Sequence, residues 1–448
     1  MSEKPQIVVR YEVMQEAVYN QNDGSLKEAV NTTAGEVAAG DDQQKARIIA
    51  AFNNGMGELQ LNDTHSTVMM SAQNGVSSRI QSSMVEQAIA TGKLSKVRPE
   101  QQISSGGYTV NQPELLEVRF DNMDLLGWAK MALHFLVIKP KRADWVAPQT
   151  VATQIPNDAT IAVFSDWGSG LYGAPAIRDQ VNAMDTCTAV IHLGDTYYAG
   201  SPNEVADRLI ACWPTAAGKG NAIHRTLNGN HEMYSGATAY FNAIAAAPFA
   251  GQNSSCFAMQ NDNWLLLGLD TSFTYGDKHG DMSPEQVAWI ESMLDGSGSR
   301  KVLFFSHHQI YSQFDNLGLI LQGQLGHILT DGRIYGWYFG HEHRLVIFDA
   351  HPTWGVKARC MGHGGFPEFR NNLPSSAPGT KQWISVNKGS GVPAAQVWDG
   401  PNEFIHDDPS DPEKYIPHGY LVLQFDGTTV RETYRDPAGT VVREAAAL

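Results

Sequence analysis

The chain has 448 residues, 42% hydrophobic and 18% charged, with 47 acidic against 32 basic side chains and a formal net charge of -15. So acidic a chain repels polyanions, which argues against a nucleic acid polymer or an anionic membrane as partner; a small phosphorylated substrate stays open, because bound cations can reverse the potential inside a pocket. The N-terminus shows no basic leader before an apolar run, the longest apolar stretch (131–138) is too short to span a bilayer, and the cysteines 187, 212, 256 and 360 have no zinc-ribbon spacing. The expectation is a cytoplasmic protein with reduced thiols, or a secreted one if a leader has been removed.

In chain order, residues 1–145 predict an N-terminal domain of unassigned role. Helical spacing appears over 26–39, 43–55 and 77–94 among Gln-, Ser- and Asn-rich stretches, and 125–139 reads as a core helix or strand. Prolines between Pro140 and Pro156 mark a linker. From 157 to the end the texture is α/β. Short apolar runs at 160–165, 189–193, 223–227, 264–269, 302–305 and 334–339 are bounded by Gly, Asp and Asn, as buried strands should be. Amphipathic stretches at 204–213 and 317–329 separate them. The clearest helix is 284–294: Ser283 caps it, Pro284 suits its first turn, and Gln286 completes a capping box. Segment 366–417, rich in Pro and Gly, predicts a long loop insertion, and strands at 420–425 and 430–434 close the domain.

Five short signals each follow a predicted strand: Ser165-Asp166-Trp167-Gly168, Gly194-Asp195-Thr196-Tyr197-Tyr198, Gly229-Asn230-His231-Glu232, Ser306-His307-His308 and Gly340-His341-Glu342-His343. In an α/β sheet the C-terminal ends of strands open on one crevice, so residues far apart in sequence meet there. Carboxylate, phenol, amide and imidazole form an oxygen and nitrogen donor set suited to Fe, Mn or Zn rather than to a thiolate site. Each signal alone also fits a turn or a cap. The two histidines of His341-Glu342-His343 would share one face of a strand.

The five blocks in this order resemble the purple acid phosphatase signature D-x-G, G-D-x-x-Y, G-N-H-[DE], V-x-x-H, G-H-x-H of the calcineurin-like metallophosphoesterase superfamily, with Phe304 standing in place of the Val. The resemblance spans 166–343. It implies a two-sheet αββα sandwich with an additional N-terminal α+β region, and a dinuclear metal site. Asp166, Asp195, Tyr198 and His343 would hold the first ion; Asp195, Asn230, His307 and His341 the second, with Asp195 bridging. Most relatives place a ligating His where this chain has Gly168, and the phenolate of Tyr198 would restore that donor and favour Fe(III) at the first site, with Fe(II), Zn or Mn at the second. The alternative for Tyr198 is packing in the core. His231 would bind phosphate and protonate the leaving group, or else hydrogen-bond Glu232. His308 and His363 are candidate substrate contacts, with a wall residue and a structural turn as their respective alternatives. His192 is expected to be buried by its strand, away from the metals. The implied activity is metal-activated hydrolysis of a phosphomonoester; a phosphodiesterase or nucleotide pyrophosphatase on the same core is the second reading, and a non-catalytic binding scaffold the third.

Overall fold

The computed structural model describes residues 142–445, apart from 171–172, 274–279, 315–317, 369, 371–378, 390 and 403–414, together with five helical residues between Asp42 and Ala50. Those five touch the helix expected over 43–55; the other N-terminal expectations lie outside the described residues. Residues 142–233 and 237–448 belong to one compact unit.

That unit is built on two sheets. The strands are β1 (Thr153–Gln154), β2 (Thr160–Phe164), β3 (Cys187–His192), β4 (Ile223–Thr226), β5 (Phe257–Gln260), β6 (Trp264–Leu269), β7 (Lys301–Ser306), β8 (Ile334–Phe339), β9 (Leu345–Ala350), β10 (Lys357–Met361), β11 (Gln382–Val386), β12 (Ala395–Asp399), β13 (Tyr420–Asp426), β14 (Thr429–Arg435) and β15 (Val441–Ala445). One sheet runs β1-β5-β6-β7-β8-β10-β9-β12-β11, the other β15-β14-β13-β2-β3-β4. Strands β2, β3 and β4 are mutually parallel, as are β6, β7 and β8.

Alternation along each strand sorts its side chains into two layers, since successive residues point to opposite faces. Ile161, Val163, Ala189 and Ile191 from one sheet and Leu266, Leu303, Phe305 and Tyr338 from the other fill the space between the sheets. Their neighbours Leu265, Leu267, Val302, Phe304 and Trp337 face outward, onto helices Pro284–Asp295 and Leu319–Leu329. On the opposite outer face Ala162, Phe164 and Val190 pack against Gly173–Asn182 and Thr238–Ile244. We number these four helices in chain order: α1 is Gly173–Asn182, α2 is Thr238–Ile244, α3 is Pro284–Asp295 and α4 is Leu319–Leu329. The architecture is therefore the expected αββα sandwich. With both faces covered, the central strands read as unbroken apolar runs, and each buried Leu, Ile or Phe contributes about 1.5–3 kcal/mol.

Three local expectations differ from the structure. Ser283 does cap α3, its side chain accepting from the Gln286 backbone N–H at 3.1 Å. Gln286, however, turns its amide inward: Nε2 donates to the Asp270 carbonyl at 2.7 Å and Oε1 accepts from the Asp270 N–H at 2.8 Å, tying α3 to the end of β6. The amphipathic stretch 204–213 forms no regular α-helix: a short turn, Pro202–Glu204, runs into a π-helical turn, Val205–Ile210. Segment 366–417, expected as a loop, holds β11 and β12, which pair with each other and extend the larger sheet from β9.

Candidate metal centre

The five signals lie just beyond the C-terminal ends of β2, β3, β4, β7 and β8. Loop-to-loop hydrogen bonds draw these ends together. Asp166 N–H donates to the Gly194 carbonyl at 3.1 Å, and Gly340 N–H to the His307 carbonyl at 3.0 Å. Glycine makes the approach feasible: a Cβ on Gly229 would sit 2.1 Å from Asp195 Oδ1. Gly168 has the same necessity, since a Cβ there would lie 2.5 Å from the Asp195 carbonyl and 2.7 Å from Thr196 Cα. Position 168 thus has no room for a ligating side chain.

At one corner of the pocket the Tyr197 hydroxyl donates to Asp166 Oδ1 at 2.8 Å and lies 3.0 Å from His343 Nε2 and 3.3 Å from Asp195 Oδ2. At the other, Asn230 Oδ1 lies 2.9 Å from His307 Nε2 and 3.0 Å from His341 Nδ1, and those two nitrogens are 3.2 Å apart. Asp195 joins the corners, its Oδ2 also 3.4 Å from His307 Nε2. All of these side chains are buried. Donor atoms of Asp166, Asp195 and His307 fall within 4.8 Å of one another, as do those of His307, His308 and His341, so either set could hold a metal ion.

Strain is concentrated here. Seven non-glycine residues among those described adopt a positive φ, and four of them are Asp166, Asp195, His341 and His343. A left-handed backbone at a residue with a Cβ costs free energy and persists only where the surroundings over-determine it. His341 and His343 consequently sit in a loop after β8 rather than along a strand. Their rings do not share a face: His341 turns to Asn230 and His307, and His343 to Asp166 and Tyr197.

Hydrogen bonds behind the pocket set which imidazole nitrogen faces it. His307 Nδ1–H donates to the Leu193 carbonyl at 3.0 Å, which aims Nε2 inward. Burial opposes charging this ring, but the carboxylate of Asp195 beside it prevails and raises His307 to about 9. Burial likewise raises the Asp195 carboxyl, yet His307 and His231 outweigh it and keep the group ionised, well below the usual carboxylate range. His231 Nδ1–H donates to the Tyr198 carbonyl at 2.6 Å, leaving Nε2 3.8 Å from Asp195 Oδ2. Burial holds the His231 ring neutral, down to about 4, against the pull of Asp195. Glu232 does not take the His231 proton. It accepts instead from Gly229 N–H at 2.8 Å and Asp195 N–H at 3.3 Å, bracing the two loops.

The structure corrects the tyrosine. Tyr197, not Tyr198, brings its phenol to the corner with Asp166 and His343. The Tyr198 ring lies 5.5 Å from the Arg208 guanidinium, its N–H donates to Glu204 Oε1 at 2.8 Å, and its carbonyl serves the pocket through His231. In a turn the direction of a side chain follows local dihedrals rather than motif spacing. His308 stands beside His307 and His341, its Nδ1 3.0 Å from Thr271 Oγ1. His363 packs against Gly419, where a Cβ would come within 2.7 Å of its Nε2. His192 is buried against Phe164, Trp167 and Trp213 and bonded to Thr226 Oγ1 at 3.0 Å.

Sequence reasoning missed Tyr197, Thr271 and Glu368. For Thr271 a signal existed: Asp270-Thr271-Ser272 follows an apolar strand just as the five chosen blocks do. Glu368 lies in the segment read as a loop.

Residues 159–345 match the sequence profile of the calcineurin-like phosphoesterase family. No curated protein matches the chain. Among solved structures the chain is similar to purple acid phosphatase PPD1 from yellow lupin (Lupinus luteus) seeds, at 16% identity over 65% of this chain and 54% of that one, with a TM-score of 0.42. It is also similar to GAP50, described as the anchor in the inner membrane complex of Plasmodium (12% identity, 65% and 88% covered, TM-score 0.45), and to a dimetal phosphatase from Danio rerio (14%, 64% and 98%, 0.39). The match spans about half the length of the lupin enzyme.

Proposed function

We propose that this chain, whose residues 159–345 match the calcineurin-like phosphoesterases, metal-dependent hydrolases of phosphoric esters, cleaves small phosphomonoesters with a pair of cations, both of which Asp195 would help to hold. The observation that carries this reading is the position of Asp195 Oδ2, shared between the Tyr197 hydroxyl at 3.3 Å and His307 Nε2 at 3.4 Å. One carboxylate oxygen thereby borders both donor sets.

Asp166, Asp195, Tyr197 and His343 would hold the first ion, and Asp195, Asn230, His307 and His341 the second. The donors fit: carboxylates, an amide oxygen, a phenol and inward-facing imidazole nitrogens, all buried in backbone held under strain. When bound, such a pair lowers the pKa of coordinated water to give hydroxide at neutral pH and neutralises charge growing on the phosphoryl oxygens. The phenol of Tyr197 favours Fe(III) at the first position, with Fe(II), Zn or Mn at the second. Burial and the adjacent Asp166 and Asp195 raise this phenol well above its ordinary pKa, so its ionisation requires a strongly acidic ion beside it.

The protein's own groups do the remaining work. His231, fixed through Nδ1 by the Tyr198 carbonyl, points Nε2 into the pocket and carries a proton to the leaving alkoxide; a phosphoryl dianion bound beside it stabilises the imidazolium that burial otherwise disfavours. His308, steadied by Thr271, contacts the phosphoryl group from the side of His341. His363, held at Gly419, is the second candidate substrate contact. A phosphodiesterase on the same core is the competing reading, because pocket walls rather than metal chemistry separate the two. Steady-state rates on p-nitrophenyl phosphate and on its bis ester decide between them. We expect the monoester to be preferred in kcat/KM; preference for the diester reverses the assignment.

A further inference from the structure

Behind the first-ion corner stands a buried stretch, 366–368, followed by the buried Arg370, that none of the five motifs contains. Phe366 lays its ring on His343, centroids 4.2 Å apart at 31°, and on Tyr197 at 4.5 Å. Glu368 places Oε2 3.5 Å from His343 Nδ1, on the side of the ring away from Asp166 and Tyr197, while its Oε1 lies 3.4 Å from Arg344 Nη2. The stretch is anchored on both flanks. Phe366 N–H donates to the Asp166 carbonyl at 3.0 Å, the Glu368 carbonyl accepts from Ile416 N–H at 2.9 Å, and Arg370 makes a two-pronged pair with Asp399 at the end of β12, each contact 3.0 Å. Glu368 is thus fixed by its surroundings, and His343 has a left-handed backbone, φ 53°.

We propose that Glu368 is a positioning residue for the first cation: its carboxylate, 3.5 Å behind His343 Nδ1, favours the proton on that nitrogen and so leaves Nε2 as the donor facing the corner formed by Asp166 and Tyr197. A carboxylate behind a metal-binding imidazole orients the ring and raises its basicity, and removing such a partner weakens metal binding roughly 10–100-fold. The proposal rests on the two-cation reading above, and it gives segment 366–368 a direct part in the site.

The test is a titration of the full-length, chelator-treated protein with Co²⁺ alone, following stoichiometry and the visible d–d spectrum. Wild type, Glu368→Gln and Glu368→Ala are compared, each also in an Asn230→Ala background in which the first position is the one that remains. Glu368→Ala should weaken first-site Co²⁺ binding roughly 10–100-fold and alter its spectrum. Glu368→Gln, which keeps the shape but offers its amide in place of the charge, should show a smaller loss in the same direction, and the second site should keep its affinity. Wild-type affinity and an unchanged spectrum in both variants overturn the proposal; if the alanine variant does not fold, the glutamine variant alone decides. A wild-type protein that takes up fewer than two Co²⁺ sinks the two-cation reading itself, a separate outcome.

Discussion

Tyr197 and Tyr198 are neighbours that serve the pocket with different groups, one through its phenol and the other through its backbone carbonyl. If Fe(III) occupies the first position, the phenolate-to-metal charge-transfer band should vanish in Tyr197→Phe and persist in Tyr198→Phe; the reverse pattern would restore the spacing of the motif. For His231, replacement by Ala should lower kcat by roughly 10²–10⁴-fold, the range for loss of a general acid, with both metals retained in elemental analysis. Loss of metal in that variant would make His231 structural instead. Most of the donor set was legible in the sequence because it depends on residue type at strand ends: Asp166, Asp195, Asn230, His307, His341 and His343 do converge. The tyrosine register was not, because two adjacent aromatic side chains in one turn are told apart only by dihedrals. Glu368 was hidden for another reason, since its partner His343 lies 25 positions earlier in the chain and no motif links them.

Among elements, the two sheets are tied through their shared core by a buried ion pair. Arg359 on β10 donates from Nε to both oxygens of Glu432 on β14, at 3.1 and 3.0 Å, and Tyr338 on β8 donates to the same carboxylate at 2.8 Å. Removing one partner leaves the other charge buried and alone, so Glu432→Ala should cost about 3–5 kcal/mol in urea unfolding. The double variant Arg359→Met, Glu432→Leu should recover most of that loss, and equal losses in single and double variants would show that the pair does not couple the sheets. Neither residue stood out in the sequence, because a lone charge within an apolar strand does not name its partner. Central strands such as β6 and β8 were legible to the residue, being buried along nearly their whole length. The edge strands β11 and β15 were not. Gln382–Val386 is mostly half-buried at a rim of the larger sheet and Val441–Ala445 half-buried to exposed at a rim of the smaller, so neither carries the apolar run that marks a strand covered on both sides.

At the scale of the whole molecule, buried neutral imidazoles set a limit on acid stability. Burial pushes His192 down to about 4, against the opposing pull of Asp166 and Asp195, and burial with the nearby Arg225 takes His224 to about 4. The unfolded chain protonates such groups near 6.5, so between about 6.5 and 4 it binds more protons than the folded one. Stability should therefore fall as pH drops through that window and be unaffected by these groups above it, with a slope of up to about 1.4 kcal/mol per pH unit for each imidazole. Urea midpoints at pH 7 and pH 5 measure it. His192→Gln should flatten the acid limb, and an unchanged limb would clear His192 as a source. Among the described residues no helix is long and apolar enough to cross a membrane.

The central claim is that one carboxylate serves two cations, and elemental analysis of the purified full-length chain beside Asp195→Ala tests it most directly. Two metal ions per wild-type chain should fall to fewer than one in the variant, with hydrolysis of p-nitrophenyl phosphate lost in parallel. Two ions retained by the Asp195→Ala protein, or undiminished hydrolysis by a wild-type chain stripped of metal, would contradict it.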